Sequence, residues 1–146
     1  MIKLKNRSQL EGIRRSCGLL ADLFDEIGAM IRPGISTGEI DARAAEFIRR
    51  GGGEPAFLGY MGYPASICAS VNEVVIHGIP NPRPLREGDL VGIDIGIILD
   101  GFYSDRAYTY AIGEPSSENR RLMEVTPRCL DLAIKNDLTP DQYPLE

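Results

Sequence analysis

The sequence predicts an α+β fold in which helices pack on one face of a mainly antiparallel sheet. Three observations predict it. Two stretches in the first third repeat apolar residues at helical spacing. Two strand-like runs, 89–99 and 102–112, flank Asp100-Gly101, and Asp-Gly between apolar runs is a strong hairpin signal. A further helix-periodic stretch follows Ser116.

Taken in order, Ser8-Gln9-Leu10-Glu11 has the form of a capping box. Leu10, Ile13, Cys17, Leu20, Phe24 and Ile27 then mark one helical face, and Pro33-Gly34 stops the helix. Ser36-Thr37-Gly38-Glu39 is a second capping box, opening a helix with Ile40, Ala44, Phe47 and Ile48 on one side. Gly51-Gly52-Gly53 ends it. Residues 66–71 and Val74 to His77 read as short strands around an Asn72-Glu73 turn. The proline-rich stretch Asn81 to Gly88 is a loop. After the hairpin, Leu122, Val125, Cys129, Leu132 and Ala133 define the apolar side of a third helix. Residues 135–146, with two prolines among polar residues, read as a loose tail.

The chain has 146 residues, 43% of them hydrophobic and 25% charged, enough for one domain with a real core. Its net charge is −5 and its basic residues are dispersed in pairs, so nucleic acid is not expected as a partner. No apolar run approaches the roughly 18 residues of a membrane span, so no membrane partner is expected. The N-terminus lacks the apolar core of a signal peptide. Cys17, Cys68 and Cys129 are an odd, scattered set, which points to reduced thiols in the cytoplasm.

The chemistry centres on the hairpin. Asp94 lies in an apolar strand, where an ionised carboxylate is costly unless compensated. With Asp100-Gly101 as a two-residue loop, Leu99 faces Phe102, Gly96 faces Asp105 and Asp94 faces Ala107. Asp94 and Asp105 are then diagonal neighbours on one face, roughly 5–8 Å apart at Cβ. Gly96 and Ala107 are small and leave a hollow beside them. Two like charges there repel unless one is protonated or a cation binds. A hydrogen-bonded structural aspartate and a metal ligand are both open readings of Asp94. A three-residue loop would put the two aspartates on opposite faces.

His77 is the only histidine, at a strand end before a Gly-Ile-Pro turn. It suits either a structural hydrogen bond or proton transfer and substrate contact. Leu58 to Pro64 carries Tyr60 and Tyr63 among glycines. These rings either wall a pocket or pack a loop onto the core.

Together, Arg32-Pro33-Gly34-Ile35-Ser36-Thr37, Leu58-Gly59-Tyr60-Met61-Gly62-Tyr63-Pro64, Ser70 through Pro80, Gly88 through Ile95 and Asp100 through Asp105 resemble the type I methionine aminopeptidases of the pita-bread metallopeptidase fold. The resemblance runs from about Ile2 to Ala133. It implies half of a pita-bread fold over residues 1–134, followed by a divergent tail, 135–146. It also implies removal of the initiator methionine from nascent polypeptides by a site with two divalent metals. Asp94 and Asp105 match the two metal-binding aspartates of the hairpin. His77 matches a histidine that contacts substrate in catalysis, and Tyr60, Tyr63 and Cys68 match the wall of the methionine pocket. Such ligands suit manganese, iron, cobalt or zinc.

The departures are specific. The family's other metal ligands, one His and two Glu, have no counterpart in this sequence, which implies a truncated site with weak metal binding by itself. The resemblance therefore implies a complementing second half, or a homodimer in which two copies mimic the family's internal two-fold symmetry. Arg106 stands where a small hydroxyl residue usually follows the second aspartate; strand alternation directs it away from the site. Met61 replaces a residue that is commonly His. A non-catalytic pita-bread-like module that binds peptides or proteins is the alternative reading.

Overall fold

The computed structural model describes residues 4–137. They divide between Glu114 and Pro115 into two compact units. The first holds helices α1 (Arg7–Met30) and α2 (Thr37–Arg50), and strands β1 (Glu54–Pro55), β2 (Cys68–Val71), β3 (Leu90–Leu99) and β4 (Phe102–Ala111). The second holds helix α3 (Ser117–Asp137).

The sheet is built around β3. β1 and β2 pair antiparallel with it at Ile97–Ile98 and at Val91–Asp94, and β4 pairs with it antiparallel along its whole length. The hairpin register is the one a two-residue loop requires: Leu99 faces Phe102, Gly96 faces Asp105 and Asp94 faces Ala107. Asp100 and Gly101 both take positive φ, 51° and 78°, the geometry of a type I′ turn, which matches the twist of the flanking strands.

Strand alternation sorts the two faces. Val91, Ile93, Ile95 and Ile97 are fully buried and share one core with Leu23, Ile27, Ile40 and Ile48 of the helices. The other face carries Asp94 and, across the hairpin, Asp105. The predicted architecture, helices on one face of an antiparallel sheet, is the observed one.

Helix α1 starts earlier than predicted. Asn6 and Gln9, not Ser8 and Glu11, form the capping box, with Asn6 Oδ1 accepting from Gln9 N at 2.9 Å. Its buried face is also rotated at the N-terminal end. Leu10 and Cys17 are exposed, whereas Gly12 and Ser16 are buried. The reason is packing on β4. The Phe102 ring lies so close over Gly12 that a Cβ there would collide with it. Ser16 Oγ donates to Ser104 Oγ at 2.8 Å, and both hydroxyls are buried between helix and strand. Helix α2 begins with the predicted Ser36–Glu39 box and ends at Gly51. Arg43 of α2 pairs with Glu26 of α1.

Val74 to His77 is not a strand. One side of β2 is taken by β3, and among the described residues the backbone partner on the other is Gly78, whose carbonyl accepts from Ala69 N at 2.8 Å. Val75 and Ile76 remain exposed, so their β-branched character finds no sheet to pack in. In the second unit, α3 begins beyond Ser116, whose Oγ accepts from Asn119 N. It continues through Pro127 and includes 135–137, the first residues of the expected tail. Residues 138–146 lie outside the described residues.

Candidate metal and substrate site

Four segments converge on the open face of the sheet. Cys68 of β2 faces Asp94 of β3 across the ladder, Asp94 faces Ala107 of β4, and Asp105 lies diagonal to Asp94. The loop carrying Phe57, Tyr60, Met61 and Tyr63 rises over this row, and His77 and Ile79 close another side. Together they line a cavity of about 620 Å³. It gathers every residue the sequence marked: His77, Tyr60, Tyr63, Cys68, Asp94 and Asp105.

The electrostatics of the pair follow from its position. Asp94 is half-buried and Asp105 is exposed. Burial raises the Asp94 carboxyl above the ordinary carboxylate range, repulsion from Asp105 raises it further, and His77 opposes both. Asp94 Oδ1 is buried with no hydrogen-bond partner among the described residues. A buried acceptor left unpaired costs about 1–3 kcal/mol. A hydrogen-bonded structural aspartate would not show this; a carboxylate facing an electropositive ligand would.

The neutral wall has its own logic. The Cys68 thiol is pushed up mainly by burial, with Tyr63 opposing and Asp94 and Asp105 adding, so it stays protonated. The Tyr63 hydroxyl lies 3.0 Å from Ile67 O and 2.9 Å from Gly78 O, and burial raises its pKa. Tyr63 therefore ties two loops together while its ring faces the cavity. Asp41 of α2 supports the same loop, its Oδ1 accepting from Ser66 N at 2.8 Å and Ile67 N at 3.0 Å. Tyr60 is largely exposed at the rim.

The hollow predicted beside Gly96 is partly filled. An added Cβ on Gly96 would lie 2.7 Å from the Phe57 ring and 3.0 Å from the Ala56 Cβ. Phe57 thus roofs that end of the acidic pair, and only Ala107 leaves its side open. Sequence reasoning missed Phe57 and Ile79 as lining residues. Phe57 stands directly before Leu58-Gly59-Tyr60, and an aromatic next to that segment was the available signal.

His77 is exposed and takes φ 57°, a left-handed conformation uncommon outside glycine. Met61 does the same at φ 47°. Such strain gathers where a fold aims side chains into a site. Gly78, next to His77, is pinned on both sides: its N donates to Ser70 Oγ at 3.1 Å, and a Cβ at this position would strike Ala69 O. Arg106 points to the opposite face, its guanidinium carbon 4.5 Å from the Phe24 ring centroid.

The residues present fit part of a divalent-metal site. Asp94 and Asp105 would hold the ion, since oxygen donors and an unpartnered buried acceptor both favour a cation. Among the described residues, no group of three or more His, Cys, Asp or Glu side chains is placed to hold a metal ion. No helix of the described residues is long and apolar enough to cross a membrane.

Comparison with known proteins gives this arrangement its context. The methionine aminopeptidase of Treponema pallidum is 45% identical over 135 residues, covering 92% of this chain and 52% of that protein. The methionine aminopeptidase of Borreliella burgdorferi is 50% identical over 125 residues, covering 86% and 50%. Among solved structures, methionine aminopeptidase from Thermotoga maritima superposes with a TM-score of 0.89 at 35% identity, covering 93% of this chain and 55% of that one. The chain spans about half the length of the curated relatives it matches. Its fold is half of a pita-bread fold. The profile of metallopeptidase family M24 matches residues 11–142. The chain belongs to metallopeptidase family M24.

Proposed function

We propose that this chain carries one half of the site of a metal-dependent aminopeptidase that removes N-terminal methionine from peptides and nascent proteins. The observation that supports it most is the buried, unpartnered Asp94 Oδ1 beside Asp105, under a cavity walled by neutral and aromatic side chains. In this reading Asp94 and Asp105 hold divalent metal, with manganese, iron, cobalt or zinc all chemically suited. Two ions per complete site would supply an activated water and a polarised scissile carbonyl. Tyr60, Tyr63 and Cys68 receive the methionine side chain; a protonated thiol and ring faces suit a thioether. His77, on its constrained loop, contacts the substrate near the scissile bond. The remaining metal donors come from a complementing second half or from a second copy of this chain. A cytoplasmic setting belongs to the same reading and is supported by three free thiols, Cys17, Cys68 and Cys129, which suit a reducing compartment.

A peptide- or protein-binding role without catalysis is the second reading. It is favoured by the absence, among the described residues, of a third metal donor beside Asp94 and Asp105. Hydrolysis of a Met-Gly-type peptide with added manganese or cobalt separates the two. Turnover that Asp94→Ala abolishes supports the peptidase. Peptide binding together with equal manganese affinity in the natural chain and in Asp94→Ala overturns it in favour of the binding module, because a half-site still has to hold metal through Asp94.

A further inference from the structure

Gly78, directly after the single histidine, makes three hydrogen bonds. Its carbonyl accepts from Ala69 N at 2.8 Å and its N donates to Ser70 Oγ at 3.1 Å, and both partners belong to β2. The third partner comes from the cavity wall: the Tyr63 hydroxyl donates to the same carbonyl at 2.9 Å. Two tethers on one strand leave a loop free to hinge along that strand, and a tether off that line removes the hinge. His77 needs such restraint. It takes φ 57°, a strained conformation for a residue other than glycine, which persists only where the surroundings hold it. Val74 to Ile76, the run leading into it, is exposed.

Tyr63 is itself held. Its hydroxyl lies 3.0 Å from Ile67 O, so its one proton is shared between two carbonyls. Ile67 is fully buried in the core, where close packing leaves little room to move. Its N donates to Asp41 Oδ1 at 3.0 Å, and Ser66 N donates to the same oxygen at 2.8 Å. Hydrogen bonds to a carboxylate are stronger than neutral ones, so the segment ending at Ile67 is fastened to α2. A line of contacts thus runs from Asp41 through Ile67 to the phenol, and from the phenol to the peptide after His77. Every member lies in the first compact unit.

We propose that Asp41 and Tyr63 are positioning residues for His77, acting as one relay that passes the placement of the cavity wall to the imidazole loop. The Tyr63 ring and hydroxyl are a single rigid body. A side chain that displaces the ring therefore also displaces the hydroxyl, and with it the Gly78 carbonyl. His77 and Asp94 line the same cavity, so a moved loop changes the spacing between the substrate-contacting imidazole and the metal-binding carboxylate. A misplacement on the order of 1 Å between such groups costs on the order of 10²-fold in rate. Wrong side chains in the pocket are then penalised at the imidazole as well as at the wall. This purpose rests on the functional reading of His77 given above; the relay itself is a matter of hydrogen bonds within this chain.

Nuclear magnetic resonance of the full chain tests it, because His77 is the only histidine and its imidazole gives a signal of its own. Tyr63→Phe keeps the ring and removes the hydroxyl. It is expected to shift and broaden the His77 signal and to speed hydrogen exchange at Ala69 N about fivefold, the worth of one ordinary hydrogen bond. Asp41→Ala is expected to move both readouts in the natural chain and to add nothing in Tyr63→Phe, whereas a direct effect of its charge would persist there. Asp41→Asn, which keeps an acceptor without the charge, takes its place if the alanine variant does not fold, with a smaller change in the same direction. Ser104→Ala, which breaks the buried pair with Ser16, is expected to lower the melting temperature and leave the His77 signal in place. Readouts unmoved by Tyr63→Phe, an Asp41 effect that is the same with and without the Tyr63 hydroxyl, or an equal movement of His77 in Ser104→Ala overturns the proposal. All spectra are taken in chelator without peptide, whereas the peptidase reading is judged by turnover and metal affinity, so each fails separately.

Discussion

Arg106 and Phe24 are stacked, the guanidinium 4.5 Å from the ring centroid, on the helical face of the sheet. Asp105, one residue earlier, lines the cavity on the opposite face. A cation adjacent in sequence to a candidate metal ligand is therefore spent on packing. Arg106→Ala is expected to lower stability by about 1 kcal/mol through loss of this contact. Manganese affinity should stay within about twofold, because strand alternation holds the charge on the far side of the sheet. Urea denaturation and calorimetric titration measure the two effects; a marked gain in affinity would mean that the guanidinium acts on the acidic pair after all.

Asp94 predicts opposite responses with and without metal. In chelator, Asp94→Asn should raise stability by about 1 kcal/mol, since it removes a buried charge that lacks a partner and repels Asp105. With added manganese the order should reverse, because only the natural chain gains from a ligand bound to the folded state. Melting curves in chelator and in manganese read both arms. Equal shifts on metal addition in the two proteins would remove Asp94 from the metal site.

Gly12 is tested by its contact. Gly12→Ala drives a methyl group into the Phe102 ring and should cost about 1–3 kcal/mol despite alanine's better helix propensity. Trimming the obstacle with Phe102→Leu in the same chain should recover a large part of that loss. Equal destabilisation by the single and double variants would point away from this contact.

Asp89 gives a pH dependence. Its carboxylate accepts from Asn72 Nδ2 and Arg86 N, each at 2.9 Å. The Asn72 amide first, then the Arg86 N–H, holds its pKa below the usual carboxylate value. The unfolded chain therefore binds a proton more readily, so the contribution is complete above about pH 4 and is lost as pH falls through the folded value. Asp89→Ala should be less stable at pH 7 and show a shallower loss of stability on acidification. An acid-unfolding profile parallel to that of the natural chain would contradict this.

The site was more legible than the scaffold around it. Asp94 and Asp105 could be placed on one face because a two-residue Asp-Gly loop leaves a single register, and strand period does the rest. The convergence of His77, Tyr60, Tyr63 and Cys68 came from resemblance, since no periodicity relates residues so far apart in sequence. What failed was local. The run Val74 to His77 has strand composition but no neighbouring strand to bond, and composition cannot report a missing neighbour. The buried face of α1 was misplaced by a few positions because two small residues, Gly12 and Ser16, take the closest approach to β4. A hydropathy pattern gives most weight to large apolar side chains and so overlooks contacts made by small ones.

Gly78 has a consequence for how this chain can vary. Its peptide is held by Ala69, Ser70 and Tyr63 at once, so the lone imidazole inherits its address from a neighbour that has no side chain. The exposed run Val74 to Ile76 can drift widely without disturbing it. Position 78 has no such latitude: anything bulkier than hydrogen would prise the imidazole loop off β2, at a locus that never touches the acidic pair.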